Sequence, residues 1–187
     1  WIIQRLGIWM SAVIQNCGFC IVQVQRLHSQ NKALMGLGVS DTDIRELDIS
    51  ANLALRNLIC NNTHLNILDV SQHKNLNILR CENSPLAYLN LGNNENLTEL
   101  NKTDSTVNLD VVGSSFNIKE AYKGIDPNNM TMISGGDLDK ETGIVSHYQV
   151  GTPIVYKYDC GTSGNGKETM QVTLHLNVKK GDSLITL

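Results

Sequence analysis

The chain has 187 residues and a formal net charge of −3, from 15 basic and 18 acidic side chains. That balance is too mild to steer nucleic acid and supplies no polybasic membrane patch. Aromatics make up 5 %, too few for a core built on aromatic bulk but compatible with a core of stacked Leu and Asn rows.

Residues 1–23 place Ile2, Leu6, Trp9 and Val13 at helical spacing, with Ile3 and Ile14 beside them. An amphipathic helix capping an open end is one reading, because terminal repeats need a cover. A decayed first repeat or a foreign flank is the other. Arg5 followed by LGIWMSAVI has the outline of a secretory signal, without a small-x-small cleavage site behind it. The chain starts at Trp1 rather than Met, as a processed or partial product would. Nothing approaches about 18 consecutive apolar residues, so no transmembrane helix is expected.

From Val24 a repeat begins. VQRLHSQNKAL aligns with IRELDISANLAL, from Ile44, with a one-residue gap. Leu34, Leu55, Leu76 and Leu97 then follow at intervals of 21, as do Leu37, Leu58, Leu79 and Leu100. Val39, Cys60 and Cys81 share one place, and Ile44, Leu65 and Leu86 another. A fixed period carried by Leu in an LxxLxC frame marks a leucine-rich repeat solenoid. Strands are expected at 34–39, 55–60, 76–81 and 97–102. Their copies pair as a parallel sheet about 4.8 Å apart, on the concave face. Thr42, Thr63, Ser84 and Ser105 stand where a turn hydroxyl can both donate and accept. The return half-coil (LDIS, LDVS, LNLG) sends Leu47, Leu68 and Leu89 inward, and Asn52, Asn75 or Asn94 turns the chain back.

The period fades at Leu109 and Val111. From Met130 the runs MTMIS, GIVSHYQV, PIVYKYDC and TMQVTLHLNV alternate as strands. CGTSGNGK, at 160–167, reads as a hairpin loop. The organisation is therefore a flank or cap at 1–23, leucine-rich repeats at 24–112, and a small all-β module at 113–187 covering the last coil. Few helices are expected, and most of the remainder is irregular.

The repeats LRNLICNNTHLNILDVS and LNILRCENSPLAYLNLG resemble the 21-residue repeats of internalin-like leucine-rich-repeat proteins of bacterial surfaces. The tail, through VNLDVVGSSFNIKEA, the turn at Gly135–Gly136 and VYKYDCG, is similar to a β module that often follows such repeats. Lys102 departs from the pattern, standing where Cys or Leu should point inward. The resemblance implies an exported, extracellular cell-surface protein that adheres to other molecules, a protein or glycan ligand among them.

Alternation puts Leu58 and Cys60 inward, and Asn57, Ile59 and Asn61 outward on the concave sheet. The equivalents are Ile78, Arg80 and Glu82, then Glu99, Asn101 and Thr103, with Gly36, Gly38 and Ser40 before them. Ile59 and Ile78 are expected side by side with a charged rim, the pattern of an interaction surface. A solvated face with no ligand fits the same residues, the repeats then serving as a spacer in a larger protein. Cys60 and Cys81 are expected as buried thiols rather than a bridge. Cys17 and Cys20 have metal spacing but no second pair. GGDLDKETG imitates half a calcium loop, yet lacks the sixth-position Gly and ends on Tyr148, so a polar hairpin turn fits better. No GxSxG, P-loop, HExxH or GxGxxG occurs. The expectation is no enzyme, no metal and no cofactor. A pocket around His147, Asp159 and His175 is what an enzymatic reading would require.

Overall fold

The computed structural model describes residues 19–21, 26–28 and 32–179, the first two stretches by their backbone alone. The helical spacing at Ile2 to Val13, and Cys17, lie outside the described residues.

Among the described residues ten three-residue strands come first: β1 (Phe19–Ile21), β2 (Arg26–His28), β3 (Gly36–Gly38), β4 (Glu46–Asp48), β5 (Asn57–Ile59), β6 (Ile67–Asp69), β7 (Ile78–Arg80), β8 (Tyr88–Asn90), β9 (Gly92–Asn94) and β10 (Glu99–Asn101). The 21-residue period becomes a register. Leu37 pairs with Leu58, Leu58 with Leu79 and Leu79 with Leu100, in a parallel sheet ordered β1-β3-β5-β7-β10. Leu37, Leu58 and Leu79 have no exposed surface, and Leu100, at the end of the row, is partly buried against the same core. β1 extends this sheet at a shorter interval of 17, Cys20 pairing with Leu37. On the return side β2 pairs with β4 at an interval of 20, the one-residue gap seen in the sequence, and β6 pairs with β8 at 21. The result is a β-rich repeat fold in which each coil buries its leucines on the next.

Hydroxyls fill the turn as expected. Thr42 Oγ1 donates to the Val39 carbonyl at 2.6 Å, and Thr63 Oγ1 to that of Cys60 at 3.0 Å. Ser84 Oγ lies 2.9 Å from Thr63 Oγ1, accepts from the Thr63 amide at 3.3 Å and donates to the Cys60 carbonyl at 3.2 Å. Ser84→Ala should cost about 1–3 kcal/mol, because the Thr63 amide is left buried without an acceptor. Chemical denaturation of S84A, T63V and the double variant checks this. The two effects should be clearly non-additive, since they share one network.

The amide that closes each coil is placed differently from the expectation. Asn52, His73 and Asn94 are the buried residues 21 apart, while Asn75 is exposed. Each buried member begins the same backbone turn: the amides of Leu55, Leu76 and Leu97 donate to the carbonyls of Asn52, His73 and Asn94. His73 Nε2 reaches the Ile49 carbonyl at 3.0 Å, and Asn94 Nδ2 donates to the His73 carbonyl at 3.1 Å. Asn75 bonds outside the coil, to the Leu53 carbonyl.

The tail's sheet begins before the expected boundary at 113, because β11 (Ser105–Val112) pairs along its whole length with β17 (Gly166–Lys179). Between them lie β12 (Ser115–Asn117), the short helix α1 (Ile118–Ala121), a 3-10 turn at Pro127–Asn129, β13 (Met130–Ser134), β14 (Asp137–Leu138), β15 (Ile144–Ser146) and β16 (Ile154–Ser163). Its main sheet runs β11-β17-β16-β13, with β9 of the repeats also pairing with β16. β16 and β17 form the expected hairpin, and β14 and β15 a second one. Asp139 Oδ1 accepts from the Glu141 and Thr142 amides in that second turn, the polar hairpin read from GGDLDKETG.

Repeats and tail share one core. Tyr156 Oη donates to the Ala87 carbonyl at 2.7 Å, Tyr88 Oη to that of Lys123 at 2.9 Å, and the Tyr88 and Tyr158 rings lie 5.7 Å apart. Lys102, the departure from the repeat pattern, is explained here. Its side chain is 20 % exposed, donates to the Thr169 carbonyl at 2.7 Å and lies 3.6 Å from Glu168. The last coil exchanges an apolar contact for a polar link to β17.

Candidate binding face

Two rows of positions cross the outward face of the five-stranded sheet, open on β5, β7 and β10 and buried at Gly36 and Gly38 of β3. In register they read Gly36, Asn57, Ile78, Glu99 and Gly38, Ile59, Arg80, Asn101. A third row, Ser40, Asn61 and Glu82, lies just beyond the strand ends. Asn57, Ile59, Asn61, Ile78, Arg80, Glu82 and Glu99 are half-buried, and Asn101 is exposed. Strand alternation creates this arrangement: the leucine between each outward pair packs into the core, Leu37, Leu58 and Leu79 completely and Leu100 partly, so its neighbours point away.

The register corrects one detail. Ile59 faces Arg80 across the ladder, and Ile78 faces Asn57. The two isoleucines are therefore diagonal neighbours on adjacent strands, about 8 Å apart by strand geometry, rather than side by side. Arg80 closes one end of this apolar diagonal. Its Nε lies 2.7 Å from Glu99 Oε1 and its Nη2 2.5 Å from the same oxygen. With side chains 44 % and 39 % exposed, the pair adds well under about 1 kcal/mol and serves to orient. Ser40 Oγ donates to Asn61 Oδ1 at 2.8 Å, fixing the other edge. Glu82 Oε2 is buried without a hydrogen-bond partner.

Beneath this face lie Cys60 and Cys81, both free and buried, with Cys160 of the tail also free and buried. Burial pushes the Cys81 thiol up to about 12, helped by Glu82. Burial likewise raises Cys60 well above its usual value, and takes Cys160 to about 12. An unfolded thiol titrates near about 8.5, so between about 8.5 and 12 the folded chain holds more protons than the unfolded one. Stability is therefore full below about pH 8.5 and falls as pH rises, by up to about 1.4 kcal/mol per unit for each thiol. Alkaline denaturation should set in above pH 9, and Cys81→Val, which copies Val39 in the same column, should move it upward.

The residues an enzyme would need are not brought together. His147 pairs with Asp137 at 3.1 Å, and Asp159 with Lys167 at 2.8 Å. His175 lines a shallow hollow of about 260 Å³ with Asn108, Thr152 and Asn177. Among the described residues no group of three or more His, Cys, Asp or Glu could hold a metal ion, and no helix is long and apolar enough to cross a membrane.

No family model matches the sequence, and no curated protein matches it. Among solved structures the chain is similar to the functional domain of InlJ from Listeria monocytogenes, described as including a cysteine ladder. The two are 19 % identical, with a TM-score of 0.48, over 85 % of this chain and 43 % of that one. The chain thus spans less than half the length of that structure.

Proposed function

We propose that the chain is a leucine-rich repeat solenoid segment of an exported bacterial cell-surface protein, non-enzymatic, that binds a protein or glycan ligand on its concave face. One observation carries this reading. Ile59 and Ile78 stay half-exposed on a regular sheet whose Leu37, Leu58 and Leu79 are sealed, and Arg80–Glu99 and Ser40–Asn61 fix the polar groups around them. An apolar centre with an ordered polar border is what a recognition surface needs. The internalin-like spelling of the repeats supports the surface assignment.

The test is binding of labelled chain to a glycan array and to a panel of purified extracellular domains. Wild type should give discrete signals that Ile59→Asp and Ile78→Asp abolish. Equal signals from wild type and both variants would remove the face from the account and leave the repeats as a spacer.

A further inference from the structure

One acid on the binding face has no counter-charge. Glu82 Oε2 is buried without a hydrogen-bond partner, and Glu82 forms no ion pair among the described residues. The residue as a whole is half-buried, so its carboxylate still opens onto the face. The cations at neighbouring positions are committed elsewhere. Arg80, on the same outward line of β7, is held by Glu99 of β10, on the side away from β5. Lys102 sends its ammonium to Glu168 and the Thr169 carbonyl. The polar neighbours in the same row are engaged too: Asn61 Oδ1 accepts from Ser40, and Thr103 Oγ1 accepts from the Asn83 amide. A carboxylate oxygen stripped of water and given no donor is costly. A cation arriving from outside recovers that cost.

The ladder carries on past β7 to reach this acid. The Cys60 amide donates to the Arg80 carbonyl at 2.7 Å, and the Asn62 amide to the Glu82 carbonyl at 3.0 Å. Asn61 is therefore level with Glu82, as Ile59 is with Arg80. Along the line between β5 and β7 the outward groups come as Ile78, then Ile59, then Glu82, and the three span about 13 Å. An extended peptide lying on that line advances about 3.3 Å per residue and turns alternate side chains to the sheet. Its first, third and fifth side chains fall on Ile78, Ile59 and Glu82. The outward positions of β5, β7 and β10 hold no aromatic residue, so a sugar finds no ring to stack on.

We propose that the face takes an extended protein segment, with two apolar side chains on Ile78 and Ile59 and a Lys or Arg on Glu82, and that Glu82 sets this preference. This names the ligand class of the binding face and rests on that reading. Charge complementarity selects the occupant. Arg80 and Glu99 compensate each other, so the uncompensated charge among these positions is that of Glu82. A basic side chain is what the face lacks, and a carboxylate in its place would meet like charge.

Selection of a displayed random nonapeptide library on the immobilised chain tests this. Wild type should enrich Lys or Arg two places beyond a pair of alternating apolar residues, in either direction, by at least about tenfold over the unselected library. Glu82→Gln, close to isosteric, should keep the apolar pair and lose the basic preference. Glu82→Arg should enrich Asp or Glu at that place, a reversal that only a folded variant gives. Ile59→Asp should retain none of these peptides. A wild type with no basic preference at that place overturns the proposal, as does a preference that survives unchanged in Glu82→Gln. If wild type selects no peptide but gives glycan or domain signals that Ile59→Asp abolishes, this inference fails and the binding face stands. Peptides held equally by wild type and Ile59→Asp would remove both, and so would a wild type silent in the selection and on the array.

Discussion

Leu79→Ala should lower the unfolding free energy by about 3–5 kcal/mol, among the largest losses of any single truncation in the repeats. Leu79 has no exposed surface and is clasped on both sides, by Leu58 and Leu100, in one in-register row. Removing its side chain opens a cavity between two coils, and the rigid ladders on either side prevent collapse into it. The neighbouring residue provides the contrast. Ile78→Ala, half-exposed on the outer face, should cost about 1 kcal/mol, since little of its surface is taken from water. Urea melts of the two variants should differ severalfold. Similar losses would mean that the row is not the core.

Gly161→Ala should be, with Gly135→Ala, among the most damaging glycine substitutions in the tail. Gly161 lies opposite Gly92 where β16 runs beside β9, with φ at +94. An alanine Cβ there would sit 2.2 Å from the Gly92 carbonyl oxygen, a backbone atom that cannot swing aside. Gly113 isolates the two costs. Its φ is +90, but nothing lies within 4 Å of an added Cβ. Gly113→Ala should therefore cost only the about 1–2 kcal/mol of a left-handed backbone. Gly161→Ala should exceed that by at least about 2 kcal/mol, the scale of an overpacked core. It should also strip hydrogen-exchange protection from the Leu91 amide, which donates to the Cys160 carbonyl at 2.8 Å. Equal losses for the two variants would show that the tail is not held at this contact.

The repeat was legible because its physics is local and periodic. Leu58, Leu79 and Leu100 announce their stacking by spacing alone, and so do Thr63 and Ser84 in the turn. His73 escaped because its residue type differs from Asn52 and Asn94. Only the interval of 21 places it in their column, and a search for asparagine stops at Asn75. Alternation alone sets Ile59 and Ile78 on one face, but their diagonal relation depends on which residue faces which across the ladder. Lys102 looked like a defect because its partners, Glu168 and the Thr169 carbonyl, lie far along the chain. The joining of β9 to β16 was equally hidden, since Gly92 and Gly161 signal a close approach only once they are side by side.

Through-space NMR contacts between the methyl groups of Leu37, Leu58, Leu79 and Leu100 test the stacking directly. The account predicts strong contacts between each consecutive pair, and none between Leu37 and Leu79 or Leu58 and Leu100, which lie two strands apart. Contacts that skip a member, or their absence between consecutive leucines, would contradict it.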